Sequence, residues 1–158
     1  MGNLGPGLRV MAAMSGGFST SGAIRTNGSK ARVFVVDDED FIRELYKDMF
    51  EAQGHTVFSA RSGDEAIKVI RNMQYKPDCI IMDYRMPGMD GIQATKDIMR
   101  MALGIPIIFS SADETVRDEA LRAGAVSFWT KPFPIGMLIS ATMDVIRAQR
   151  QHQQLGLI

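Results

Sequence analysis

The chain has 158 residues, enough for one domain with tails and short of two full domains. Lysine plus arginine and aspartate plus glutamate number 18 each, so no overall field favours nucleic acid or an anionic membrane as a partner. The single cysteine, Cys79, excludes an intrachain disulfide and fits a reducing compartment such as the cytoplasm, and no apolar run approaches the ~20 residues needed to span a bilayer.

Residues 1–30 are rich in Gly, Ser and Ala, show no sustained apolar period, and carry Arg9, Arg25 and Lys30 ahead of the first acid, Asp37. They are expected to form a disordered basic leader. A true start at Met11 or Met14, or an acid-poor targeting segment, would give the same composition. RVFVV, residues 32–36, predicts a buried strand. FIRELYKDMFEA then predicts a helix with Phe41, Leu45, Met49 and Ala52 inward, ended by Gly54. TVFSA, 56–60, is a second strand. Ser62 to Glu65 has capping-box spacing and opens a helix whose inner face would be Ala66, Val69, Ile70 and Met73.

CIIM, 79–82, is purely apolar and predicts a strand covered on both faces. After the loop DYRMPGMDG comes a helix carrying Ile92, Thr95, Ile98 and Met99. PIIFS, 106–110, is a fourth strand, and DETVRDEALRAG a short polar helix with a thin Val116 and Ala120 stripe. VSFWT, 126–130, is a fifth strand. Pro134 suits the first turn of a last helix facing Leu138, Ala141, Thr142 and Val145 inward, and the tail over residues 149–158 is expected to be frayed helix and coil. Strands alternating with helices over short connections imply a parallel sheet with helices on both faces.

In such sheets ligands gather at the carboxyl ends of the strands. There the pattern delivers Asp37 and Asp38, Asp83, the pair Ser110 and Ser111, and Lys131, each directly after an apolar strand. The stretch FVVDDED concentrates four acids at residues 37–40. At ~4 Å and an effective dielectric of ~20 each pair of unit charges repels by about 4 kcal/mol, so some of them are expected to converge on a cation. Three carboxylates against one ammonium leave two negative charges, which suits a hard divalent ion such as Mg2+.

VVDDED, IIMDYRMPGMDG, IIFSSAD and FWTKPF, in that order, resemble the motifs of a response-regulator receiver domain of two-component signalling, similar to the single-domain chemotaxis-type members. The likeness covers roughly residues 31–148. It implies a flavodoxin-like doubly wound fold with strand order 2-1-3-4-5. It implies that Asp83 accepts a phosphoryl group from a sensor histidine kinase or histidine phosphotransferase, that Mg2+ is bound by Asp38, Asp83 and the backbone carbonyl of Arg85 with Asp37 acting through water, and that Lys131 pairs with a phosphoryl oxygen. Ser111 would be the switch hydroxyl, with Ser110 the weaker candidate, and Phe128 the switch aromatic. The read-out would be repacking of the surface of the fourth helix, fifth strand and fifth helix for a downstream protein, making the chain a signalling switch and not a turnover enzyme. Arg85 and Asp113 stand at the positions to which phosphate lifetime responds in that family.

The remaining polar residues invite plainer readings. Asp40 is expected to be a solvated acid at a helix N-terminus, Trp129 an edge-strand packing residue or a partner anchor, and His55 and His152 to have no catalytic companions. Asp38-Glu39-Asp40 imitates the DxD of haloacid-dehalogenase-like phosphohydrolases, but nothing supplies that family's later acidic pair. A third reading is a pseudo-receiver serving only to bind proteins.

Overall fold

A computed structural model describes residues 29–156, so the leader expected over 1–30 lies outside the described residues except for Ser29 and Lys30. The strands are β1 (Arg32–Val36), β2 (Thr56–Ala60), β3 (Cys79–Asp83), β4 (Ile107–Ser111) and β5 (Ser127–Thr130). The helices are α1 (Asp40–Glu51), α2 (Gly63–Asn72), α3 (Gly91–Arg100), α4 (Arg117–Ala123), entered through a 3-10 turn at Glu114–Val116, and α5 (Ile135–Gln154). All pairings are parallel and the sheet order is β2-β1-β3-β4-β5, the doubly wound arrangement expected from the sequence.

Period-two alternation sorts the strand residues into two cores. Phe34, Val36, Ile80, Met82, Ile107 and Phe109 pack under α2, α3 and α4, while Val33, Val35, Ile81 and Ile108 pack under α1 and α5. β3 and β4 are buried along their whole length, as central strands covered on both faces must be.

The helix phases depart from the expected ones on three helices. α1 buries Tyr46 and Phe50, with Ile42 and Met49 packed beside them, whereas Phe41 is 52% exposed and Ala52 faces solvent. Burying two aromatic rings removes more apolar area from water than the predicted stripe would. On α3 Met99 stays 45% exposed and Ala94 takes the inner place, and on α2 Ile67 joins Ala66 and Ile70 in the core. Ser62 does cap α2, its Oγ accepting the Glu65 N–H at 3.2 Å, but the Glu65 carboxylate reaches the Arg61 N–H at 2.9 Å, one residue earlier than a closed capping box.

α5 continues to Gln154, through the first part of the stretch expected to be frayed helix and coil. Its last turns are anchored at the amino end of the sheet: Gln149 donates to the Gly104 carbonyl at 2.9 Å, and Arg150 donates to the Ser29 and Lys30 carbonyls at 3.1 and 3.2 Å and faces Asp78 at 3.3 Å. Asp78 in turn accepts the Arg32 backbone N–H at 2.7 Å. His55 Nδ1 accepts the Ala31 N–H at 3.3 Å, and burial, then the Arg150 charge, lowers its pKa. Among the described residues no helix is long and apolar enough to cross a membrane.

Candidate functional site

The register of the sheet determines which residues meet at its carboxyl edge. Val36 pairs with Met82, Asp83 with Ser110, and Ser111 with Thr130, so Asp37, Asp83, Ser111 and Lys131 emerge side by side. Two further backbone bonds hold the exits: Asp37 N–H to the Ala60 carbonyl at 3.1 Å, and Lys131 N–H to the Ser111 carbonyl at 2.9 Å. The Lys131–Pro132 peptide is cis.

The resulting cleft, about 620 Å³, is lined by Asp38, Glu39, Asp83, Arg85, Ser111, Ala112, Asp113, Glu114 and Lys131. Carboxylate oxygens of Asp37, Asp38 and Asp83 lie within 4.8 Å of one another. Lys131 Nζ donates to Asp83 Oδ1 at 3.0 Å and to Asp37 Oδ2 at 3.3 Å. Asp37 is 3% exposed and its other oxygen accepts the Glu39 N–H at 2.9 Å, while Asp38 points into the open cleft. The donor set fits a hard divalent cation: three oxygen donors of the kind Mg2+ takes, and two negative charges left after Lys131 is counted.

Burial first, and then the Asp37 charge, push the Asp83 carboxyl up to about 6 against the opposing pull of Lys131. Burial works to lower the pKa of Lys131, but the Asp83 and Asp37 carboxylates outweigh it and hold the ammonium above its ordinary value. Burial and the same two acids raise the phenol of Tyr46 on α1. The cluster thus carries an electrostatic conflict that one lysine only partly relieves.

The sequence-expected residues divide clearly. Asp37, Asp38, Asp83 and Lys131 are brought together, and Ser111, 2% exposed, lines the cleft while Ser110 does not. The Ser111 hydroxyl accepts the Asp113 N–H at 3.0 Å. The side chain of Arg85 lies at the cleft mouth, its guanidinium 3.0 Å from Asp113. Hydrogen bonds from Thr115 and Arg85 lower the pKa of Asp113. Phe128 is turned inward, stacked on Phe109 at 5.8 Å between centroids. Asp40 points to solvent and pairs with Arg43, so the second acid of the DxD imitation faces away from the cleft. Trp129 is half-buried and meets Phe133 edge-on at 5.6 Å, which is packing.

Sequence reasoning passed over Gly91. A Cβ there would lie 1.9 Å from the Asp83 carbonyl oxygen, and the Gly91 N–H donates to the Tyr84 carbonyl at 2.9 Å. The glycine lets α3 start directly against the strand end that presents Asp83. Its place at the end of DYRMPGMDG, ahead of a helical pattern, was the available signal.

Comparison with known proteins agrees with this geometry. The family model described as response regulator receiver domain matches residues 33–143. The chemotaxis protein CheY of Halobacterium salinarum is 35% identical over 74% of this chain and 98% of its own length, and CheY of Thermotoga maritima is 38% identical over 72% and 96%. The solved structure of the response regulator protein TrrA from Thermotoga maritima, in complex with Mg(2+)-BeF, superposes with a TM-score of 0.65 at 30% identity, covering 73% of this chain and 98% of that one. An acidic cleft at the carboxyl edge of a doubly wound sheet and relatives matched nearly end to end lead to one family: the chain belongs to the response regulator receiver domains of phosphorylation-based two-component signalling.

Proposed function

We propose that this receiver takes a phosphoryl group onto Asp83 from a sensor histidine kinase or histidine phosphotransferase, in a Mg2+-dependent reaction. The observation that carries the reading is the meeting of the Asp37, Asp38 and Asp83 oxygens within 4.8 Å, with Lys131 bridging two of them. An Asp83 carboxylate oxygen attacks phosphorus, the bond from phosphorus to the donor imidazole nitrogen breaks, and that nitrogen keeps the electron pair. With its pKa held at about 6, the carboxyl is ionised and nucleophilic at neutral pH. Mg2+, held by Asp38, Asp83 and the Arg85 backbone carbonyl with Asp37 acting through water, would supply positive charge where phosphoryl oxygens and carboxylates otherwise repel. Lys131, already at hydrogen-bond distance from Asp83, is placed to pair with a phosphoryl oxygen.

Ser111 would answer the new phosphoryl group through its hydroxyl, and Phe128 would follow by repacking the surface of α4, β5 and α5 for a downstream protein partner in the cytoplasm. Having no hydroxyl of its own, Phe128 would signal by shape alone. The TrrA complex with Mg(2+)-BeF shows a related receiver holding a metal with a fluoride of beryllium, which supports the same use of the cleft here.

Acetyl phosphate with Mg2+ should place one acid-stable, hydroxylamine-labile phosphate on the wild-type chain and none on Asp83→Asn. Labelling that survives that substitution, or that proceeds after chelation of divalent ions, would overturn the proposal.

A further inference from the structure

One contact on Phe128 lies outside the acidic cleft. The guanidinium of Arg117, the first residue of α4, sits 4.8 Å from the centroid of the Phe128 ring. Its Nη2 donates to Thr130 Oγ1 at 3.1 Å and to Glu114 Oε1 at 3.2 Å, and its Nη1 reaches the Phe128 carbonyl at 3.5 Å, the outer limit of a hydrogen bond. A cation over an aromatic ring is attracted by the ring quadrupole, and the planar fork of arginine lets one side chain hold ring, strand and turn at once. Phe128 is 8% exposed, so its ring cannot leave Phe109 by this side without displacing the guanidinium.

Arg117 is tied to Ser111 as well. The Asp113 N–H donates to Ser111 Oγ, the Asp113 carboxylate accepts the Thr115 N–H at 3.1 Å, and the turn that Asp113 caps runs into α4 at Arg117. Drawing the Ser111 hydroxyl toward the cleft would compete with the bond from Asp113 and loosen the turn that carries the guanidinium.

We propose that Arg117 is a positioning residue that clamps the Phe128 ring against Phe109, with the clamp linked to Ser111 through the turn beginning at Asp113. Its role in switching rests on the reading of Ser111 and Phe128 given above; the clamp itself does not. Arg117 neither lines the cleft nor touches the reacting atoms, so it acts through Phe128.

Two measurements separate these levels. In the metal-free chain, ring-to-ring NOEs between Phe109 and Phe128 should be strong in wild type, weakened in Arg117→Ala, and intermediate in Arg117→Lys, which keeps the charge opposite Glu114 but lacks the fork. Titration with Mg2+ and beryllofluoride, followed by the single tryptophan Trp129, should reach half-saturation at roughly fivefold lower concentration in Arg117→Ala, because the competing inward state has lost support. Unchanged NOEs would overturn the proposal, even if the variant melted earlier, and so would an unchanged or weaker beryllofluoride midpoint. If the NOEs weaken while wild type binds no beryllofluoride at all, the phosphoryl-acceptor reading fails and the clamp stands.

Discussion

At the amino end of the sheet Asp78 accepts the Arg32 N–H and faces Arg150, and Lys76 Nζ donates to the Ile70 and Met73 carbonyls at 2.5 and 2.8 Å. At the carboxyl end the carboxylates of three acids converge, and one lysine pairs with two of them. The first arrangement satisfies Asp78 with two arginines and Lys76 with carbonyl oxygens, and serves the fold. In the second, like charges are held together by the backbone, and the repulsion that remains is available to a cation. Residues of the same type thus stabilise one pole and strain the other, and partner count, more than residue type, decides which.

The largest effect should come from breaking the scaffold of the strained pole. Gly91→Ala brings a methyl into the Asp83 carbonyl and should cost about 3 to 5 kcal/mol in urea unfolding, or prevent folding altogether. A loss under about 1 kcal/mol would mean that α3 can shift away freely.

The strain itself can be read from pH. Asp83 is raised from 3.8 to about 6 by burial and by Asp37, so its neutral form is favoured in the folded state. That contribution is present below about pH 4 and is lost as pH rises through about 6. In EDTA, wild type should therefore lose up to roughly 3 kcal/mol relative to Asp83→Asn between about pH 4 and pH 7. Parallel stability profiles for the two proteins would count against a strained pole.

Loosening the satisfied pole should matter least. Arg150→Ala removes a partly exposed guanidinium and should cost about 1 kcal/mol, leaving Mg2+ affinity unchanged. The pKa of His55, followed by NMR, should move up but stay below its ordinary value, because burial is the larger cause of its depression. A change in metal affinity would show that the poles are coupled.

What the sequence reveals follows the range of the interactions involved. The strands are legible because RVFVV, CIIM and PIIFS are continuous apolar runs between polar boundaries, and strand ends locate the acids to within a residue. The phase of α1 is not, because Phe41 and Phe50 are equally apolar as letters and only the space beneath the helix selects Phe50. Gly91 and Arg117 were missed for a related reason. The carbonyl that requires the glycine and the ring that receives the guanidinium belong to other segments, and no local period encodes either meeting.

The grip of Arg150 on Ser29 and Lys30 has a practical side. Those residues enter β1 from the pole opposite Asp83, so an affinity handle joined directly to Ser29 in place of residues 1–28 would anchor the protein to a surface with its acidic cleft facing the solution.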